Sequence, residues 1–186
     1  MLFGREIDAI YVAAQLIGFA AMGFGIYSYQ MRRRINILIF QSLSNLFWVL
    51  QYLLLGTASA VVALALGILR NVVYMLRGVI RFADSVAVPV IFSVAFAVSG
   101  IFTYQNIFDI LPTVGMILAS LAFFCKKEQH IRLISLFVAA SWLTFGIAAG
   151  SIASMVADSI TLVSILVSLI RYEAIIRKNK NSMGSR

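Results

Sequence analysis

The chain has 186 residues, of which 62% are hydrophobic and 12% charged, about half the charged share usual in globular proteins. That composition excludes a soluble domain. The net charge of +8 does not indicate nucleic acid: apart from Arg5 and Arg70, every basic residue falls at the end of an apolar run, in a short connection or in the tail, which is how a membrane protein faces anionic lipid.

Several apolar runs hold ~17–20 residues with almost no charge, the length at which a helix crosses ~30 Å of hydrocarbon. They are too continuous for the alternating strands of an outer-membrane barrel. Span 1 is expected over Ile7 to Gln30 as a retained span, since Glu6 and Asp8 spoil the basic flank of a signal peptide. Gly18, Gly23 and Gly25 within it allow close helix approach. Span 2, Ile35 to Leu55, follows Arg32, Arg33 and Arg34 and carries Gln41, Asn45, Trp48 and Tyr52 at helical spacing, with Ser44 and Gln51 beside them. A tight turn at Gly56 to Ser59 leads into span 3, Ala60 to Leu76, which ends in Arg77 and Arg81. Span 4 is Val86 to Tyr104, with Pro89 in its first turn, where a missing N–H is tolerated. Span 5 covers Ile110 to Phe124 and is short unless it begins near Ile107. A basic loop with Lys126, Lys127, His130 and Arg132 precedes span 6, Leu133 to Ala149. Gly150 and Ser151 form another tight turn before span 7, Ile152 to Ile170, which Arg171 follows.

The basic sites lie in alternate connections and after the last span, whereas the other three connections hold no Lys or Arg. Seven spans place all the basic sites on one side, so the expected topology is N-terminus outside and C-terminus cytoplasmic. The role expected for Arg32, Arg33, Arg34, Arg77, Arg81, Lys126, Lys127 and Arg171 is topology and lipid contact.

A gapless shift of 94 residues brings Trp48 onto Trp142, Gly56 onto Gly150 and Arg77 onto Arg171, with Arg32 and Arg33 on Lys126 and Lys127. This reads as a 3+1+3 plan within a single membrane domain, 1–186. A first triple-helix unit covers 7–77, a linker helix 86–104 and a second unit 107–171, with a flexible basic tail at 177–186. The odd helix turns the second unit parallel to the first, as in one transporter architecture.

The segments QLIGFAAMGFGIYSYQMRRR, LFWVLQYLLLGTASA, ALGILRNVVYMLR and LPTVGMILASLAFF, with Trp142 and Gly150 beyond them, resemble the YgjV family of small bacterial inner-membrane proteins over nearly the whole chain. The resemblance implies an inner-membrane location and brings no chemistry with it. More distantly, the 3+1+3 plan resembles the SWEET and PnuC transporters. The proline-glutamine motif typical of SWEET relatives is absent, and no PnuC ligand residue carries over.

Asp158 is the sharpest candidate functional residue. A carboxylate inside a span is costly and is paired or marks a solute path. Ser154, Thr161, Ser168 and Tyr172 share its helical face, and Arg70, with Asn71 beside it, is its natural partner. The stripe of Gln41, Asn45, Trp48 and Tyr52 forms a second polar face, with Trp142 expected across from it. The candidate path residues are therefore Gln41, Asn45, Trp48, Tyr52, Arg70, Asn71, Trp142, Asp158 and Thr161.

A single cysteine and a single histidine make no disulfide or metal signature, and no GxxxxGK[ST], HExxH or GxSxG element is present. No enzyme activity, metal or cofactor is expected. The partners expected are membrane lipids and a small polar solute. The function expected is small polar-solute transport across the inner membrane; the alternative is a non-transport scaffold or accessory protein, and a water-filled centre against a packed one tells them apart.

Overall fold

A computed structural model describes residues 8–28, 30–85, 87–122 and 128–183. They form α1 (Ala9–Ser28), α2 (Arg34–Leu54), α3 (Ala58–Met75), α4 (Ala87–Phe102), α5 (Ile110–Ala122), α6 (Glu128–Ala149) and α7 (Ile152–Met183). Short 3₁₀ turns at Arg81–Asp84 and Ile107–Asp109 precede α4 and α5. Four segments are long and apolar enough to cross a membrane: Ala9–Ser28, Ile35–Leu54, Ala58–Met75 and Ile152–Ile170. Ala87–Phe102, Ile107–Ala122 and Leu133–Ala149 are apolar and shorter. The protein is an all-α, multi-pass membrane bundle.

Its polarity is inverted relative to a soluble domain. Gln51, Ser120 and Ser151 are completely buried, while Val163 and Ile170 are 60% and 68% exposed. Lipid tails solvate the outer apolar side chains as well as a core would. The helices therefore gain by pairing polar groups and packing closely, not by hiding hydrocarbon.

Two helices outrun their expected limits. α6 begins at Glu128, inside the stretch read as a loop, because its basic and acidic residues are good helix formers and the run holds no Gly or Pro. The residues read as a flexible tail are helical as far as Met183, the last described residue. Lys126 and Lys127 lie outside the described residues, as do the side chains of Arg34 and Arg171. Arg32, Arg33 and Arg81 are exposed. Arg77 is not simply a lipid-facing charge: its Nε donates to the Ala83 carbonyl at 2.9 Å and its guanidinium lies over the Tyr74 ring at 4.6 Å. That clamp folds back the connection after α3, where Gly78 (φ 84°) donates its N–H to the Asp84 carboxylate at 3.2 Å.

The turns after α2 and α6 are built alike. Gly56 and Gly150 both have φ 68°, a left-handed conformation that glycine adopts without a Cβ penalty. The Gly56 and Thr57 N–H groups donate to Leu53 and Tyr52 carbonyls, and the Gly150 and Ser151 N–H groups to Ile147 and Gly146 carbonyls. This is the paired closure of a Schellman motif, and every atom pair recurs at the same offset.

α2 packs on α1 and α3, α6 packs on α5 and α7, and α4 packs on α3 and α5. The two groups meet where α1 touches α7 and where α3 touches α5. Exchanging α1, α2 and α3 for α5, α6 and α7 turns one of these junctions into the other.

Candidate functional site

Along α2, Gln41, Asn45, Trp48 and Tyr52 are spaced by four, three and four residues, so one helix face carries them all. The structure sets this face along a cavity of ≈ 380 Å³ that is also bordered by α1, α3, α5, α6 and α7. Every expected path residue lines it: the four from α2, Arg70 and Asn71 from α3, Trp142 from α6, and Asp158 and Thr161 from α7.

An aromatic layer closes one end. The Tyr52 ring lies 6.2 Å from Trp48, 6.3 Å from Trp142 and 5.6 Å from Phe145. Tyr11, Leu55, Ala60 and Ala149 pack with Tyr52 and Phe145 in one buried cluster. Behind this floor, toward the Gly56 and Gly150 turns, is a hydrogen-bonded seal. Gln51 Nε2 donates to Ser151 Oγ at 2.8 Å, Tyr11 Oη donates to the Gly150 carbonyl at 2.9 Å, and Gln15 Oε1 accepts from the Ala153 N–H at 3.1 Å. Gly18 makes room for it: a Cβ there would stand 2.5 Å from Gln51 Nε2. Gly23, expected to serve the same purpose, has nothing within 4 Å of a Cβ. In the opposite direction the lining continues to Ser28 at the end of α1, Asn71 near the end of α3 and Ser135 near the start of α6. The cavity thus runs from its aromatic floor toward the helix ends that adjoin the arginine-bearing connections.

The charged groups are held by different neighbours. Arg70 is 8% exposed. Its Nη1 donates to Ser120 Oγ at 3.1 Å and its guanidinium lies 5.8 Å from the Phe96 ring centre. Asp158 is half-buried and its Oδ2 accepts from Ser154 Oγ at 2.9 Å. Ser154 sits against Gly146, where a Cβ would come within 2.8 Å of its hydroxyl. The glycine near the end of α6 therefore lets the serine of α7 reach its position and hold the acid. Trp142 is seated in the same way by Gly115, whose Cβ would lie 2.9 Å from the indole nitrogen.

The candidates are not equivalent. Thr161 Oγ1 donates to the Ala157 carbonyl of its own helix at 2.9 Å, which leaves its methyl and its acceptor lone pairs, but no donor, for the cavity. Ser44, beside the stripe, joins helices: its hydroxyl donates to the Ala21 carbonyl at 2.8 Å. Gln15, Tyr11 and Ser120 take part although no motif or spacing in the sequence points to them. Gln15 alone carried a signal, as a lone amide in the apolar run of span 1. Among the described residues no group of three or more His, Cys, Asp or Glu is arranged to hold a metal ion.

Residues 12–175 match Imp-YgjV, described as bacterial inner membrane protein. The chain belongs to this family. Every residue lining the cavity, from Met22 to Ile165, falls inside the Imp-YgjV match, whereas Tyr11 of the seal falls one residue before it. No curated protein and no solved structure matches the chain.

Proposed function

We propose that the protein carries a small polar solute across the bacterial inner membrane. The observation that carries this is the convergence of Gln41, Asn45, Asn71 and Asp158, from three helices, on one cavity with an aromatic layer at one end. Lipid does not call for a polar interior of this kind, and a packed scaffold would fill it. The alternative, a non-transport scaffold, draws its support from size and the absence of catalytic motifs, and the cavity weighs against it.

The reading extends to architecture. Seven spans in a 3+1+3 plan, N-terminus outside, set the basic connections in the cytoplasm and the cavity mouth with them. The matching glycine turns and the exchangeable helix junctions support two parallel units joined by α4. Rocking of one unit against the other around a fixed site is the motion such a plan permits. The seal behind Tyr52 would then be the gate that opens outward.

The test is solute exchange in proteoliposomes, with labelled amino acids, polyols, nucleosides and organic cations offered separately. At least one class should exchange, and Asn45→Leu should reduce that exchange at least about tenfold, the equivalent of ~1.4 kcal/mol. Absence of exchange for every class, from protein shown to be folded, would remove the proposal.

A further inference from the structure

We propose that the cavity takes a small zwitterion, with its ammonium end at Asp158 beside the aromatic floor and its carboxylate end toward the amides of Asn45 and Asn71. This deepens the transport reading and rests on it only in treating the cavity as a solute site.

Three observations support this. First, among the described residues lining the cavity, Asp158 is the one acid and Arg70 the one base. In a low-dielectric interior a lone cation entering would meet the field of Arg70, and a lone anion that of Asp158. A zwitterion complements both. Arg70 is anchored through Ser120 and Phe96, so it acts as a fixed positive wall, while the side-chain amides of Asn45 and Asn71 supply N–H donors to a carboxylate.

Second, the acid has acceptor capacity to spare. Ser154 uses Oδ2, whereas a carboxylate accepts at about four lone-pair positions. Close by, Tyr52 is buried, and Ser151, Ser154 and Asp158 are the polar neighbours of its hydroxyl.

Third, the acid stands at an aromatic floor. Trp48, Tyr52 and Trp142 line the same cavity, and indole and phenol faces attract ammonium groups. The volume of ≈ 380 Å³ lies within the ~300–1,000 Å³ of small-ligand sites.

Both tryptophans of the chain line the cavity, so intrinsic fluorescence of the intact protein in detergent reports binding directly. The probes are leucine, phenylalanine and glycine betaine as zwitterions, leucinamide as the cation of leucine's shape, 4-methylpentanoate as its anion, and xylitol as a neutral polyol. At least one zwitterion should change the fluorescence saturably, and the cation and anion should bind at least about tenfold more weakly, ~1.4 kcal/mol. Asp158→Asn should weaken zwitterion binding by a similar factor and Asp158→Glu should restore most of it, with thermal unfolding confirming that both variants are folded. Arg81→Gln, on the exposed connection before α4, should change nothing.

The proposal is overturned if none of the three zwitterions binds, if folded Asp158→Asn binds as well as the native protein, or if leucinamide or 4-methylpentanoate binds as well as leucine. Exchange assays separate the two readings. Xylitol carried while zwitterions neither bind nor exchange overturns the ligand class and leaves transport standing. Zwitterions bound through Asp158 but never exchanged uphold the site and overturn transport.

Discussion

Gln15 and Asp109 stand 94 residues apart and serve matching joints of the bundle: Gln15 Oε1 accepts from the Ala153 N–H at 3.1 Å, and Asp109 Oδ1 accepts from Ser59 Oγ at 2.6 Å. Ala153 and Ser59 are also 94 residues apart, and each is the second residue of its helix. The first N–H groups of a helix have no partner within it, and near the hydrocarbon water is scarce. At the α1–α7 joint a side chain from the neighbouring helix supplies an acceptor directly to the backbone; at the α3–α5 joint the serine hydroxyl takes the place of that backbone donor.

Removing these acceptors should loosen the joints unequally. Gln15→Leu leaves the Ala153 N–H without its acceptor and should cost ~1–2 kcal/mol. Asp109→Ala should cost more, ~2–4 kcal/mol, because its bonds from the Ser59 hydroxyl and from the Gln105 and Asn106 N–H groups at 3.1 and 2.9 Å go to a carboxylate, whereas the further Gln15 contacts, to the Gly150 carbonyl and the Gln51 amide, are long at 3.3 and 3.4 Å. The two losses should add, since the joints share no partner. Thermal or chemical unfolding in detergent reads all three values.

Glycines of the turns and of the helix faces should fail for different reasons. Gly56→Ala meets nothing within 4 Å and should pay only for its φ of 68°, ~1–2 kcal/mol. Gly18→Ala has ordinary helical geometry but places a Cβ 2.5 Å from the fully buried Gln51 amide, so it should displace the seal as well. Unfolding measurements should rank Gly18→Ala as the more damaging of the two, and its Tyr11 and Gln51 contacts should be the ones that change in a structure of the variant.

Arg70 should not tolerate lysine. Its guanidinium combines a hydrogen bond to Ser120 with a position over Phe96, and an ammonium reproduces neither geometry well. Arg70→Lys is expected to lower stability by ~1–2 kcal/mol. A double-mutant cycle with Ser120→Ala should return a coupling of about 1 kcal/mol; zero coupling would show that the hydrogen bond is not what holds the arginine.

Labelling checks the sidedness. In a Cys125→Ser background, where no other thiol remains, Ser135→Cys lies in the cavity wall and Ser151→Cys in the fully buried seal. A membrane-impermeant thiol reagent should modify position 135 from the cytoplasmic face and leave position 151 unmodified from either face. Modification of position 135 from the outer face alone would reverse the proposed orientation.

Asn45 shows how a sequence pattern becomes a wall. Its polarity and its spacing from Gln41 and Trp48 are visible in the chain, but the groups that share the cavity with it, Asn71 of α3 and Asp158 of α7, are brought there only by the packing of the helices. Asp158 shows the same division. An acid in an apolar run is legible at once, whereas its Ser154 contact depends on the bare backbone at Gly146, one helix away. Gln15 was not legible as part of a seal, because nothing local says that the start of α7 will lie beside it.

The sequence by itself determined the class of this protein, the approximate limits of its helices, the charge asymmetry between its ends and the polar stripes. These follow from local quantities: transfer of side chains into hydrocarbon, helical periodicity, and glycine where a turn needs φ above zero. Only the tertiary structure decided which stripes share a cavity, which end of that cavity is closed, and that Arg70 and Asp158 answer to Ser120 and Ser154. Those outcomes depend on contacts between helices far apart in the chain, and in lipid such contacts are chosen by close steric fit and by single hydrogen bonds. Neither leaves a periodic trace in a single sequence.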